Sequence, residues 1–306
     1  MKKYDVVIIG GSAAGVTTAI TARRHYPDKD ILLLRKEKKV LIPCGIPYII
    51  GTVGSPEKNL IPNDPLEKNN IHFEIDEADS IDRKNKIIKT KGKKEYQYEK
   101  LVIATGSLPL TFPIPGFNKK NIFKIVKDTC YLQDILDKIN QAKEIVIVGG
   151  GFIGTEFADE CRKNRNVNVT IVELLPHCLQ LVFDEEICIT AEKSLKNNGI
   201  NILTNEKVVE FMGNESVEKV KLESGKELNA DLVIFGVGSK PDTELAKEAE
   251  LKIGPMKGIW VNKYMQTTDP NIFACGDCAD KISFFDGEPS GFKLASIASM
   301  ESRIAG

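Results

Sequence analysis

The sequence predicts an α/β chain of two doubly wound parallel-sheet domains. Two observations lead there. A short β-branched run, a glycine-rich turn and a helical pattern open the chain as Tyr4-Asp5-Val6-Val7-Ile8-Ile9-Gly10-Gly11-Ser12-Ala13-Ala14-Gly15, and the same plan returns as Glu144-Ile145-Val146-Ile147-Val148-Gly149-Gly150-Gly151-Phe152-Ile153-Gly154. Uninterrupted apolar runs of this kind belong to strands covered on both faces of a parallel sheet. Each is followed by a second such strand, at 30–34 and 168–172, so the chain contains two βαβ units.

The bulk numbers fit that reading. The 306 residues are enough for two domains, and 42% hydrophobic with 28% charged residues provides ample core. Lys and Arg (42) nearly cancel Asp and Glu (43), so no field of one sign is present to hold nucleic acid or an anionic membrane. The expected partners are therefore small molecules. The apolar stretch 6–9 is too short for a signal-peptide core, and no later run is long enough to span a bilayer. Seven cysteines, an odd number, argue for free thiols in a reducing compartment, which places the chain in the cytoplasm.

Between the two units, strands are expected at 71–75, 86–90 and 96–104, with the lysine-rich 91–94 as a solvated hairpin turn. The proline-rich 108–116 reads as a crossing between domains. After the second unit, 207–228 alternates as a meander would, and 231–235 is a buried strand ended by Gly236-Val237-Gly238. A further strand leads into Cys275-Gly276-Asp277, and a helical pattern runs from about 291 to the end.

The glycine loops point to dinucleotides, whose pyrophosphate needs backbone N–H groups at a helix start with no side chain in the way. Gly149-x-Gly151-x-x-Gly154 meets the spacing in full. Glu173, 19 positions after Gly154, stands at the end of the next strand, where a carboxylate accepts both ribose hydroxyls. A 2′-phosphate would meet that negative charge, which favours NADH over NADPH. The bland reading is an ordinary glycine-rich βα turn. In the first loop Ser12 takes the middle glycine's place, and the acid expected after the next strand is missing, with Arg35 and Lys36 in its position. There a guanidinium would contact the adenine face or a phosphate.

The rest of the chain identifies the first site, because here the sequence resembles the pyridine nucleotide-disulfide oxidoreductase family over essentially its whole length. Leu101-Val102-Ile103-Ala104-Thr105-Gly106 is similar to the family's Ala-Thr-Gly segment at the junction of its two dinucleotide domains. Gly236-Val237-Gly238-Ser239-Lys240-Pro241 is similar to the partner segment at the end of the NAD domain. Ile272-Phe273-Ala274-Cys275-Gly276-Asp277 resembles the second FAD signature, whose aspartate holds the ribityl chain. The resemblance implies two Rossmann-like domains: an FAD domain of residues 1–112 and 242–306, and an NAD(P)H domain of residues 113–241. Cofactor contacts are expected at Gly10, Ser12, Ala13, Ala14, Gly15, Arg35, Lys36, Pro43, Ala104, Thr105, Gly106 and Asp277. In the inserted domain they are expected at Gly149, Gly151, Phe152, Ile153, Gly154, Glu156, Glu173 and Gly238. Glu156 either touches the nicotinamide side or caps the turn.

Ile42-Pro43-Cys44-Gly45-Ile46-Pro47-Tyr48 is similar to the Cys-Gly-x-Pro-Tyr segment of the coenzyme A disulfide reductase and NADH oxidase branch, which uses one cysteine beside the flavin. No second cysteine stands five residues away, so no disulfide forms on that segment. A cysteine opening a helix is expected to favour the thiolate, which attacks disulfide or polysulfide sulfur. Peroxidases and water-forming oxidases of the branch place a histidine in the first glycine loop, where this chain has Ala13. The resemblance therefore implies an enzyme that reduces coenzyme A disulfide, polysulfide or sulfur through Cys44. In that group Arg23 or Arg24 would meet coenzyme A phosphates, or they are simply a charged helix end. The rival readings are an NADH oxidase making hydrogen peroxide from oxygen, a rubredoxin- or ferredoxin-type electron-transfer reductase, and a redox-sensing flavoprotein without useful turnover. Cys275-x-x-Cys278 straddles the FAD signature and reads as structural, and the other cysteines read as packing residues without metal. The branch continues into a C-terminal interface domain that makes a homodimer, and these 306 residues are expected to lack it.

Overall fold

The structure is a computed structural model that describes residues 1–306. The strands of its two main parallel layers are β1 (Lys2–Ile9), β2 (Ile31–Arg35), β3 (His72–Ile75), β4 (Glu95–Ile103), β5 (Ile122–Lys124), β6 (Glu144–Val148), β7 (Asn168–Val172), β8 (Ile200–Leu203), β9 (Leu232–Phe235) and β10 (Ile272–Ala274). The longer helices are α1 (Ala13–His25), α2 (Thr129–Ile139), α3 (Phe152–Arg162), α4 (Glu185–Asn197) and α5 (Ala295–Ala305). The chain divides into two compact units. One comprises residues 1–43, 61–108 and 240–306, and the other residues 44–60 and 109–239. Residues 44–60 thus pack with the second unit, whereas the family resemblance assigns them to the first.

In the first unit the parallel order is β3-β2-β1-β4-β10. An antiparallel hairpin, Ala78–Asp82 with Ile87–Thr90, extends the sheet beyond the first half of β4. Its first strand is not evident in the sequence, because Ala-Asp-Ser-Ile-Asp shows little apolar alternation. The uninterrupted apolar runs are explained by cover on both faces. Val7, Ile9, Leu32, Leu34, Leu101 and Ile103 pack on one side with Ala246, Leu251, Ile259 and Val261. Ile8, Leu33 and Val102 pack on the other with Ala14, Ala19, Ala22 and Ala298. Ala14, Ala19 and Ala22 let α1 lie close to the sheet, since a small side chain brings backbone near backbone.

The second unit repeats the plan with order β8-β7-β6-β9-β5, all parallel. One face is covered by the antiparallel sheet Val208–Met212, Lys219–Leu222 and Glu227–Asn229, the expected meander. Phe211, Val220 and Leu222 from it meet Val146, Val148, Val233 and Phe235. The start of β6 is held by Asp231, whose carboxylate accepts from the Lys143 and Glu144 N–H groups at 2.8 and 2.9 Å. No helix is long and apolar enough to cross a membrane.

Both βα turns are built on one close approach. A Cβ added at Gly15 would lie 1.8 Å from the Gly10 carbonyl oxygen, and one at Gly154 would lie 1.8 Å from that of Gly149. Gly10 and Gly149 themselves have φ of +119° and +102°, a region open to glycine. Gly15→Ala is therefore expected to lose about 2 kcal/mol of stability, as overpacking of a close-packed site does, measured by urea unfolding. Unchanged stability would mean that the loop yields at no cost.

Candidate functional site

In the first unit three loops meet at the carboxyl ends of adjacent strands, where open α/β sheets take their ligands. β1 runs into Gly10 and Gly11, β4 into Ala104, and β10 into Cys275-Gly276-Asp277. Register aligns them, since Ile9 pairs Ile103 and Ile103 pairs Ala274. The loops touch: a Cβ on Gly10 would lie 2.1 Å from the Ala104 carbonyl oxygen, and one on Gly276 would lie 2.9 Å from the Ala14 Cβ. Ser12 stands at the N-cap of α1 in extended conformation, its hydroxyl not used to cap the helix. Thr105 donates its hydroxyl proton to the Asp242 carbonyl at 2.7 Å, and Asp242 N–H donates back to the Gly106 carbonyl at 2.9 Å. The structure therefore brings Gly10, Ser12, Ala13, Ala14, Gly15, Ala104 and Asp277 into one cradle. Thr105 is turned to a structural bond.

Asp277 is half-buried and accepts from the Ser107 hydroxyl at 2.8 Å, which fixes one carboxylate oxygen. Its loop is locked from below by a buried ion pair that no sequence motif announces. Glu301 of α5 accepts from the Gly276 N–H at 2.7 Å and pairs with the Lys281 ammonium at 3.2 Å. Lys281 also donates to the Gly276 and Ala279 carbonyls at 2.6 and 3.1 Å. Burial raises the Glu301 carboxyl above its ordinary range, with Lys281 opposing that shift.

Arg35 is 3% exposed and lies along the first loop, where a Cβ on Gly11 would sit 2.5 Å from its Cδ. Its guanidinium stacks 4.8 Å from the Phe73 ring centre and donates to Asn63 Oδ1 at 2.9 Å, while its buried Nε has no acceptor. Lys36 is exposed. Arg23, a candidate for coenzyme A phosphate, is instead committed to the carbonyls of Pro27, Lys29, Asn69 and Asn70 at 2.7–3.1 Å. It ties the end of α1 to the chain around it, and of the two arginines only Arg24 is exposed to solvent.

In the second unit Glu173 ends β7 under the glycine loop. Its carboxylate accepts from the Gly150 N–H at 2.5 Å and from the Leu175 N–H at 2.7 Å. It is therefore held in one orientation beside the loop. Gly151 caps α3, and nothing lies within 4 Å of where a Cβ on it would stand. Phe152 is exposed, so the helix start is open. Ile153 and Glu156 follow on α3. Burial, and then the charge of Glu160 one turn on, raises the Glu156 carboxyl. Gly238 takes φ +98° and accepts from the Leu110 N–H at 3.0 Å.

Cys44 is exposed, in a three-residue 3-10 turn (Pro43–Gly45) rather than at the start of an α-helix. No helix dipole therefore acts on it, contrary to the expectation from the sequence, because one short turn aligns too few peptides to make one. A π-helical turn, Ile49–Val53, follows. Of the other cysteines, Cys161, Cys178, Cys188, Cys275 and Cys278 are buried and Cys130 is exposed. Burial pushes the Cys161, Cys178 and Cys275 thiols up to about 12. The Cys275-x-x-Cys278 pair consists of free thiols that bond neighbouring carbonyls and hydroxyls, Cys278 to Ile103 and Cys275 O, Cys275 to Thr18 and Ser302.

Against known families, the model of the pyridine nucleotide-disulphide oxidoreductases matches residues 4–302. The chain belongs to that family. Its members are FAD- and NAD(P)H-dependent oxidoreductases with Rossmann-type domains. Over 98% of its length the chain is 35% identical to an NADH oxidase of Methanocaldococcus jannaschii, of which it covers 68%. It is 34% identical to an NAD(P)H coenzyme A polysulfide/persulfide reductase of Pyrococcus horikoshii, across 99% of this chain and 70% of that one. Among solved structures, an NAD-dependent persulfide reductase from A. fulgidus superposes with a TM-score of 0.92 at 31% identity, covering 98% of this chain and 58% of that one. These relatives carry the names of the branch that the Cys44 segment resembled.

Several functional supports lie outside the reach of sequence reading. Ser107 follows the Ala-Thr-Gly segment directly and was within sight of it. Lys281, Glu301 and Glu160 act across 20 residues or more, and nothing in their local pattern sets them apart from solvated charges. Glu301→Ala would leave Lys281 buried without its ion partner. Urea unfolding is expected to show a loss of about 3 kcal/mol, the scale for breaking a buried pair. A change under about 0.5 kcal/mol, the scale of an exposed pair, would mean that the lysine is satisfied by its two carbonyls alone.

Proposed function

We propose that the protein reduces a small sulfur acceptor (coenzyme A disulfide, polysulfide or sulfur) at the expense of NAD(P)H, with FAD as bound cofactor and Cys44 as the redox thiol. The observation that carries this reading is the exposure of the cysteines. Five of the seven are buried; Cys44 and Cys130 are open to solvent, and of these two only Cys44 lies in the Cys-Gly-x-Pro-Tyr segment, in the Pro43–Gly45 turn. A thiol held protonated by burial is a poor nucleophile and is closed to substrate, whereas an exposed one is open to it.

The first unit's cradle fits FAD. Its glycines admit a pyrophosphate to the start of α1, Asp277 keeps an oxygen for a sugar-type hydroxyl, and the orphaned Arg35 Nε lacks the acceptor that a ribose or phosphate oxygen provides. The second unit's loop fits the adenosine end of NAD(P)H through Gly149, Gly151, Gly154 and Glu173. FAD, when bound, supplies the two-electron chemistry that joins a hydride donor to a sulfur acceptor.

The chain's own part is nucleophilic. Cys44 thiolate attacks one sulfur of the disulfide, the S–S bond breaks, and one thiolate leaves, taking a proton from solvent. The mixed disulfide left on Cys44 then needs two electrons and a proton, which NAD(P)H provides overall, and the second thiol departs. A second reading, oxygen as acceptor, is supported by the NADH oxidase name of the M. jannaschii relative.

An anaerobic NADH titration of the flavin absorbance separates the two. After treatment with coenzyme A disulfide and removal of the excess, the wild type is expected to take up about one two-electron equivalent more than Cys44→Ser, since the mixed disulfide on Cys44 stores that much. Equal uptake would remove Cys44 as an electron store and leave oxygen as the better acceptor. Glu173, held by two backbone N–H groups, is proposed to favour NADH. Glu173→Ala is expected to shift the NADH-over-NADPH preference in kcat/KM by about tenfold, the worth of a charge-assisted hydrogen bond. An unchanged ratio would place the discrimination elsewhere.

A further inference from the structure

The π-helical turn after Cys44 leaves two N–H groups for a distant side chain. Ile49 and Ile50 N–H bond the Ile46 and Pro47 carbonyls, and Gly54 N–H bonds that of Ile49. The Gly51 and Thr52 N–H groups both go to Glu160 of α3. Glu160 Oε2 accepts from Gly51 at 3.0 Å and from Thr52 at 2.6 Å, while Oε1 accepts from the Thr52 hydroxyl at 2.7 Å. The residue is 3% exposed. Lys163 lies 3.5 Å from Oε1 and donates to the Thr52 hydroxyl at 2.8 Å, and Arg165 donates to the Ile50 carbonyl at 2.6 Å. Glycine is required at 51, because a Cβ there would meet the Glu160 carbonyl oxygen at 2.5 Å and its carboxylate at 2.7 Å.

A buried carboxylate is costly unless its oxygens are taken up, and three hydrogen bonds with a nearby ammonium satisfy this one in a single geometry. Its place on α3 gives the contact a further meaning. That helix starts at Gly151 in the candidate nucleotide loop and carries Glu160 in its last turns. One helix therefore carries the nucleotide loop at its start and holds the thiol segment near its end.

We infer that Glu160 is a positioning residue for Cys44, fastening the thiol-bearing segment to the helix that follows the NAD(P)H loop. The inference rests on Cys44 being the redox thiol. Removing the carboxylate frees the 49–53 turn and lets the sulfur wander from its working place, while transfer from NAD(P)H to an acceptor that needs no thiol continues.

The test uses the FAD-loaded protein with Cys44→Ser, Glu160→Ala, Glu160→Gln and the milder Thr52→Val. Turnover is read with coenzyme A disulfide and, separately, with ferricyanide, which needs no thiol. Amide exchange at 49–54 and the rate of Cys44 alkylation by iodoacetamide are followed without turnover. Glu160→Ala is expected to lower kcat with the disulfide about 10–100-fold, the effect of misplacing a reacting group by an ångström, with ferricyanide turnover within about twofold, the experimental scatter of small surface effects. Exchange at Gly51 and Thr52 should quicken, the alkylation rate should change, and Glu160→Gln should restore most of the activity. Thr52→Val should fall between.

Equal loss with both acceptors would show a role in folding alone and overturn the inference. So would disulfide turnover that is intact in Glu160→Ala and in Thr52→Val but lost in Cys44→Ser, which leaves the thiol reading standing. Disulfide turnover surviving in Cys44→Ser would overturn the thiol reading itself, and the positioning role with it.

Discussion

The contact on which both units depend is a backbone one. In each, the last glycine of the loop packs its bare α-carbon against the carbonyl of the first, with space for a hydrogen and nothing larger. That contact sets the angle at which the helix leaves the strand. It also brings the helix start, with its unpaired N–H groups, to the carboxyl edge of the sheet. Cover on both sheet faces then follows, since the helix is laid along one face and the return strand must be parallel. Apolar burial stabilises the layers, but the glycine contact decides where they present their polar ends.

Around this common frame the two units differ in how they hold charge. In the second, the acid after the return strand is kept, and Glu173 is pinned by the N–H of Gly150 in the glycine loop and by that of Leu175 just beyond Glu173 itself. In the first, Arg35 stands in that position and turns its stem into the space beside Gly11, with its head on Phe73 and Asn63. A carboxylate accepts and a guanidinium only donates, so the two loops make opposite demands on the groups they meet. The first unit recovers an acceptor at Asp277, whose loop is tied to α5 by Lys281 and Glu301.

Much of this was legible in the residues. The two βαβ repeats, the strands 168–172 and 232–235, the meander and the glycine spacings follow from local periodicity and turn chemistry, which the chain carries within windows of about ten residues. The hairpin strand Ala78–Asp82 was not legible, because its polar residues make a strand only when β4 offers an edge through Ile87–Thr90. The final helix begins at Ala295 rather than near 291, where residues 291–294 lie in loop. Cys44 was picked out by its flanking prolines and glycine, but the helix expected to begin there is a 3-10 turn followed by a π turn.

By itself the sequence determined the two nucleotide-type loops, their order and the proline-flanked cysteine, because each is written in consecutive residues whose conformational needs are local. Tertiary structure alone decided which charges serve those loops. Arg23 is consumed by four carbonyls, Lys281 and Glu301 are buried together, and Glu160 reaches back 108 positions to Thr52. A charged side chain on a helix looks the same in sequence whether water or a distant backbone N–H receives it. Only the folded chain brings the donor within reach and excludes the water that would otherwise compete.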